Sequence, residues 1–114
     1  LLDGEEAVIN GDGLQTRDYV YVGDIVRANL ACIERPGFNI YNVGTAVETD
    51  VNTLFNHIAE AANFDAAPPH GPAAAGEQRR SCISSERILE ELSVAVDTPL
   101  SEGISNTVAW FRKD

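Results

Sequence analysis

The chain has 114 residues, 44% of them hydrophobic, and a formal net charge of −10 from eighteen acidic and eight basic side chains. That length suits one globular domain with one core, and the acidic balance repels a phosphate backbone, which argues against nucleic acid as a partner. No apolar run approaches the roughly 18 residues of a membrane span, and Leu1-Leu2 is too short for a signal-peptide core, so a soluble domain without a membrane partner is expected.

The sequence contains no methionine and opens on Leu1-Leu2-Asp3, which reads as a piece of a longer chain. Cys32 and Cys82 belong to no CxxC pair and have no histidine at metal-ligand spacing. They are expected to be reduced core residues in a cytoplasmic setting.

Ala7 to Asn10 is a short apolar run that stops at Gly11-Asp12-Gly13, a strand followed by a turn in which glycine supplies positive φ. Asp18 to Val22, rich in aromatic and β-branched residues, predicts a second strand or extended segment. Asp24 is placed to cap a helix beginning near Ile25, with Val22, Val26, Leu30 and Ile33 at helical spacing and Pro36-Gly37 as the stop. Phe38 to Asn42 then predicts a short strand closed by Val43-Gly44.

Thr49-Asp50 opens a further helix with Val51, Leu54, Phe55, Ile58 and Ala62 along one face and Asn63 as its stop. From Asp65 to Gly76, proline, glycine and alanine dominate, and neither periodicity accounts for them. An irregular, mobile loop is expected, either functional or a linker. Arg79 to Ile83 looks extended, Ser84 or Ser85 can cap a short helix carrying Ile88, Leu89 and Leu92, and Pro99 precedes a final helix. Its stripe is Leu100, Ile104, Val108 and Phe111, with Arg112-Lys113 at the negative end of the dipole. The elements make a small α+β lobe of short strands with about four helices.

Catalytic constellations are missing from the sequence. None of the three tyrosines has a lysine four residues on, and Gly11-Asp12-Gly13 leads to Thr16 where a G-x-G-x-x-G would need its third glycine. His57, in a helix, reads as a surface residue, and His70 lies in the proline-rich loop. Neither joins a serine-histidine-acid pattern.

The candidates for ligand contact are arginines, whose planar fork matches phosphate oxygens. Arg17 lies between the glycine turn and a strand, and by itself is better read as half of a surface ion pair. Arg79 and Arg80 follow the long loop and point opposite ways if that segment is extended. Glu77 can accept from vicinal sugar hydroxyls or remain a solvated loop charge. The backbone of Val8-Ile9-Asn10 can pair with a nucleobase edge, as any strand ending in a cleft can.

Gly11-Asp12-Gly13-Leu14-Gln15-Thr16-Arg17-Asp18-Tyr19-Val20-Tyr21-Val22 followed by Asp24 resembles the G-D-G-x-Q-x-R-D-F/Y-V/I-x-V-x-D signature of the extended short-chain dehydrogenase/reductases. Within them it resembles the NAD-dependent nucleotide-sugar epimerases and dehydratases of the UDP-glucose 4-epimerase type. Tyr41-Asn42-Val43-Gly44-Thr45, Gly76-Glu77-Gln78-Arg79-Arg80-Ser81 and the closing helical pair, Ser84 to Leu92 with Leu100 to Phe111, follow in that family's order.

The resemblance implies that residues 1–114 are a single C-terminal substrate-binding domain of an extended Rossmann-type α/β enzyme. The intact protein would be an isomerase using NAD held by a preceding domain, with no cofactor and no catalytic residue on this chain. Its partner would be a nucleotide-sugar, in particular a UDP-sugar, and the intact enzyme could be a homodimer. A dehydratase or reductase of the same family, or a non-catalytic binding module, would keep the same features.

Residue by residue, the resemblance implies that Arg17 contacts the diphosphate, that backbone at Val8 and Asn10 meets the base, and that Glu77 lies near the ribose hydroxyls. Tyr19 is expected to pack, and Asn42 and Gly44 to turn the chain. The sequence departs from the family at Ala74-Ala75, where an arginine often precedes the proline-glycine, so one diphosphate contact is lost or passes to Arg79 or Arg80. Ser93-Val94 also replaces a usual glycine-tryptophan, a change that bears on packing.

Overall fold

The structure is a computed structural model that describes residues 1–112. Its elements in chain order are β1 (Ile9–Asn10), β2 (Thr16–Arg17), α1 (Val22–Ile33), β3 (Thr49–Asp50), α2 (Val51–Ala62), β4 (His70–Gly71), α3 (Glu86–Leu92) and α4 (Leu100–Phe111). The strands form two small sheets: β1 pairs with β4 in parallel, Ile9 opposite His70, and β2 pairs with β3 antiparallel, Arg17 opposite Thr49. The α+β lobe expected from the sequence is thus present, with four helices among the described residues.

Helix α2 forms where the sequence places it. Asp50 accepts the Thr53 amide and hydroxyl, both at 2.8 Å, which satisfies donors at the first turn. Asn63 ends the helix in the left-handed conformation at φ 55°. Phe55 and Ala59 are buried against Ile9, with Val51 and Phe64 around them, and α2 also packs on α4, whose Ile104 and Val108 are buried. A second cluster gathers Ala28 of α1, Ile88 of α3 and Val94, flanked by Tyr41, Val43 and Leu92. The buried side chains therefore form two clusters rather than one core.

Several local expectations are corrected. Pairing in the second extended segment falls on Thr16–Arg17, just before Asp18 to Val22. Helix α1 begins at Val22 with Tyr21 at its cap position. Asp24 lies in its first turn and caps nothing. It is fully buried and serves a tertiary contact with Thr98 instead. Phe38 to Asn42 forms no strand.

The stripe Val22, Val26, Leu30 and Ile33 faces outward, with Leu30 60% exposed, and Phe38, at 90%, and Ile40 are exposed too. The buried side of α1 is the one carrying Asp24 and Ala28.

Near the carboxyl end, Ser84 accepts the Glu86 amide at 3.2 Å just ahead of α3, whose N-cap residue, Ser85, makes no side-chain capping bond. Ser85 is turned to Gly44, whose amide it accepts at 2.6 Å. Pro99 precedes α4 as expected, and Leu100, Ile104 and Val108 line its inner side while Phe111 is exposed. Arg112 is its C-cap residue, and Lys113 lies outside the described residues.

The loop from Asp65 to Gly76 is held down rather than loose. Pro69 and Gly71 accept the amides of Ile9 and Gly11 at 2.9 and 3.0 Å, and the His70 Nδ1 lies 2.7 Å from the Gly11 carbonyl. Cys82 is exposed rather than in a core, while Cys32 is partly buried, and both thiols are free.

The described chain is a slab of 49 × 36 × 18 Å with a radius of gyration of 16.5 Å, against about 13 Å for a compact domain of this length. A chain this extended leaves much of its surface uncovered, the apolar stripe of α1 included.

Candidate functional site

The site is built around the end of β1. Ile9 and Gly11 give their amides to the loop segment at Pro69 and Gly71. Successive residues of a strand present their backbone groups to opposite edges, so Val8 and Asn10 present theirs to the other edge, as the nucleobase assignment requires. The Asn10 carbonyl is taken there by the Gln15 side-chain amide at 3.1 Å. Gln15 is itself buried, so it fixes the strand end from inside.

Gly11 and Gly13 adopt φ of +69° and +72°, a region that costs a side-chain-bearing residue about 1–2 kcal/mol. At Gly13 an added Cβ would also come within 2.7 Å of the Asn52 amide nitrogen. The turn therefore brings the chain from β1 into β2 only with glycine at these positions. Thr16 then receives its anchor from the other side of the site, its amide donating to the Arg79 carbonyl at 2.9 Å. That bond places Arg17 against Glu77 and Gln78, although sixty residues separate Arg17 from Glu77.

Arg17 is held by its own end of the fork. Its Nη1 donates to the carbonyls of Thr16 and Gln78, both at 2.7 Å. Its Nη2 lies 3.4 Å from Glu77 Oε1, and both side chains are 31% exposed. Two of the residues singled out in the sequence are thus brought together, and the pairing of Arg17 with a carboxylate is the arrangement seen here.

Arg79 and Arg80 point to different carboxylates, as neighbours on an extended segment should. Arg79 binds Asp12 through both Nη atoms at 2.9 and 3.0 Å. That bond, reinforced by the Leu14 amide, holds the Asp12 carboxyl down at about 2. Arg80 binds Glu48 through Nε at 3.0 and 3.1 Å, and its guanidinium, with the Thr16 hydroxyl, keeps Glu48 below its ordinary value.

A cavity of about 200 Å³ separates the two arginines by role: Asn10, Gln15, Ala74, Glu77 and Arg79 line it, with Asp12 at its rim, and Arg80 does not. It is smaller than the roughly 300–1,000 Å³ of a complete small-molecule site, so the described residues form part of one.

A larger cavity, about 600 Å³, is apolar and lies between α2, α4 and the segment from Tyr19 to Val22. Tyr19 lines it, as a packing residue would, and burial pushes its hydroxyl above its ordinary value. It offers no convergent set of polar groups of the kind that orients a ligand.

Behind Arg17, Asp18 ties three segments together. It accepts the Thr45 amide and hydroxyl at 2.9 and 2.6 Å, the Ala46 amide at 3.1 Å and the Ile83 amide at 3.3 Å. Partial burial pushes its carboxyl up, but these donors outweigh it and hold the group below its ordinary value. Gly44 has to be glycine here because an added Cβ would stand 2.8 Å from Asp18 Oδ2. Desolvation and the carboxylates of Asp18 and Glu48 push the Cys82 thiol up, which disfavours the thiolate a nucleophile needs.

Residue types alone did not single out Gln15, Asp12, Glu48 or Asp18. Asp12, Gln15 and Asp18 all lie inside the signature run, which was the available signal, and Glu48 lies outside it. Among the described residues no cluster of three or more His, Cys, Asp or Glu is placed to hold a metal ion. No described helix is long and apolar enough to cross a membrane.

Comparison with known proteins adds to this geometry. The sequence pattern of the NAD dependent epimerase/dehydratase family matches residues 1–44. The chain is 41% identical to the UDP-glucose 4-epimerase of Mycolicibacterium smegmatis over 98% of its own length and 36% of that protein's. It is 33% identical to the dTDP-glucose 4,6-dehydratase of Streptomyces griseus over 99% of its length and 35% of that protein's.

The structure superposes on the UDP-glucose 4-epimerase of Thermotoga maritima, solved with UDP-glucose, with a TM-score of 0.92 at 41% identity, covering 98% of this chain and 36% of that one. The chain thus spans about a third of the length of the proteins it matches. The signature run, the order of its motifs and its fold all agree with the NAD dependent epimerase/dehydratase family, whose pattern matches residues 1–44.

Proposed function

We propose that residues 1–114 are the substrate-binding part of an NAD-dependent nucleotide-sugar epimerase and that they hold the nucleoside diphosphate of a UDP-hexose. The observation that carries this reading is that Glu77, paired with Arg17 at 3.4 Å, lines one cavity with Asn10 at the end of β1, where the backbone of Val8 and Asn10 faces the edge away from β4. A base edge, a diphosphate and a ribose require a backbone edge, a guanidinium and a carboxylate in that sequence.

Arg17 is suited to the diphosphate because two carbonyls already fix its fork, so little side-chain entropy remains to be lost on binding. Arg79 lines the cavity that Glu77 also lines and supplies the second cation that Ala74 does not. Gripping the nucleotide positions the sugar for chemistry carried out elsewhere.

NAD does not fit on these residues. The turn at Gly11–Gly13 runs into β2 and not into a helix N-terminus, whereas a dinucleotide's diphosphate is held at the start of a helix. Hydride transfer therefore belongs to residues outside this chain, and the chain alone is expected not to turn substrate over. The uncovered stripe of α1 with Phe38 and Ile40 suits packing against that cofactor-binding part. Two unbridged cysteines suit a reducing, cytoplasmic compartment.

Calorimetric titration of the full protein with UDP, dTDP, GDP and ADP, followed by a turnover assay with UDP-glucose, tests the reading. Tight UDP binding and conversion to the 4-epimer are the expected results, and preferred binding of dTDP with loss of water from the sugar would establish the dehydratase instead. Failure to bind any nucleoside diphosphate would remove the reading.

A further inference from the structure

Gln15 is a buried amide spent on one backbone group. The residue is 6% exposed, and its Nε2 donates to the Asn10 carbonyl at 3.1 Å. Ile9 and Gly11 give their amides to Pro69 and Gly71, so that carbonyl lies on the opposite edge of β1, beside the Val8 carbonyl and the Asn10 amide. The bond also fixes which way the carboxamide is turned, with its nitrogen toward the strand edge.

The glycine turn is held without this bond. The Leu14 amide donates to Asp12 Oδ1 at 2.9 Å, and the Asn52 side-chain amide donates to the Asp12 carbonyl at 3.0 Å. The backbone amides of Asn52 and Thr16 donate to the carbonyls of Gly13 and Arg79 at 3.2 and 2.9 Å. Gln15 meanwhile lines the cavity shared by Asn10, Glu77 and Arg79, and among the described residues its Nε2 has no acceptor besides Asn10. Its amide therefore puts an N–H donor at the place where the bare strand edge would end in an acceptor.

We propose that Gln15 is a positioning residue for nucleobase choice, turning the end of the β1 edge from acceptor to donor; this rests on the nucleotide-sugar reading above. A base with a ring N–H beside a carbonyl, as in uracil and thymine, pairs with the Val8 carbonyl and the Asn10 amide, and its carbonyl faces the Gln15 N–H. Cytosine in the same place carries an amino donor where those bases have the carbonyl. That amino group meets the Asn10 amide and the Gln15 amide, both donors, whereas a bare Asn10 carbonyl would accept from it. The preference thus comes from an unfavourable contact for the wrong base as much as from a favourable one for the right base.

The test is calorimetric titration of the full protein with UDP and CDP, which share ribose and diphosphate, so that the ratio of their dissociation constants isolates the base. Wild type is compared with Gln15→Met, of similar shape but without a donor, and Gln15→Glu, which offers an acceptor when ionised. Wild type should favour UDP by about tenfold or more. Gln15→Met should reduce that preference about three- to tenfold, the range of one hydrogen bond, and Gln15→Glu should reduce it further. The charge added by Gln15→Glu weakens both nucleotides alike and cancels in the ratio.

A side chain that only holds the turn would weaken both nucleotides together and leave the ratio as it was. An unchanged ratio in whichever variants fold, or CDP bound by wild type as tightly as UDP, would overturn the role of Gln15 while the nucleotide site stands. If wild type binds neither nucleotide, both readings fall.

Discussion

Asp24 Oδ1 accepts the Thr98 hydroxyl at 2.6 Å across 74 positions of sequence, and Asp24 Oδ2 accepts the Thr98 amide at 3.2 Å. The carboxylate is fully buried, and the half-exposed Arg27 guanidinium pairs with it at 2.6 Å from one turn along α1. The bonds join the start of α1 to the residue just before α4, so the part of the chain bearing the Arg17 strand cannot part from the C-terminal helix without exposing an ion.

Thr98→Val should lower stability by about 1–2 kcal/mol, because Asp24 keeps Arg27 and the backbone amide. Asp24→Ala should cost more, about 2–3 kcal/mol, since it removes both of the acceptors Thr98 uses and one partner of Arg27, which keeps Asp97. Urea denaturation of the full protein measures both. Equal losses for the two variants would show that the hydroxyl, and not the carboxylate, holds the junction.

Asp18 should make stability depend on pH in a defined direction. Its folded carboxyl sits below its ordinary value of 3.8, so the unfolded chain takes up its proton first as the pH falls. The stabilisation is complete above the unfolded value and is lost as the pH drops through the folded one. Asp12, held at about 2 by Arg79 against an ordinary 3.8, extends the same loss to lower pH. The urea midpoint should be flat from about pH 7 to 5 and fall below about pH 4. Asp18→Asn should start lower at neutral pH and fall less steeply, so that the two curves approach each other in acid. Parallel curves would show that the four donors contribute nothing to the ionised form.

What the sequence made legible follows from where each residue's partner lies. Helix α2 could be read in full because its cap, its face and its stop are local, in Asp50, Phe55 and Asn63. The strand at Phe38 to Asn42 could not, because a strand is a relation between two segments and its pattern says nothing of whether the partner is present. Asp24 looked like a cap for the same kind of reason: the Thr98 that claims it is distant in sequence.

The stripe on α1 carries a correct helical period yet is exposed, since periodicity marks an apolar face without naming what covers it. In the site, Arg17 and Glu77 were legible through motif order. Their contact was not, because it depends on the Thr16 to Arg79 backbone bond that folds residue 77 back onto residue 17.

Removal of the three arginines should separate their roles. Arg17→Ala should weaken UDP-sugar binding by about 1.5–3 kcal/mol, the range of a charge-assisted hydrogen bond. Arg79→Ala should weaken it less, because a ligand oxygen must compete with the bidentate Asp12 carboxylate. Arg80→Ala should leave affinity within about twofold, since Arg80 faces Glu48 away from the cavity lined by Glu77. Calorimetry with UDP-glucose gives all three values. An Arg80→Ala loss larger than that of Arg79→Ala would move the second cation to the other side of the segment.

The exposed stripe of α1 gives a prediction about what lies against it. Leu30 is 60% exposed, and on a solvated helix face Leu30→Asp should change stability by no more than about 0.5 kcal/mol. If the cofactor-binding part of the protein covers Val26, Leu30 and Ile33, the same substitution places a carboxylate in an apolar interface. It should then cost about 2 kcal/mol or more, together with loss of turnover. The neighbouring Asn29, exposed on the same helix, supplies the control, and Asn29→Asp should leave both quantities unchanged. Thermal or urea denaturation of the full protein, read beside the turnover assay, decides between the two. A Leu30→Asp protein as stable and active as wild type would show that this face looks onto solvent and that the remainder of the protein packs elsewhere.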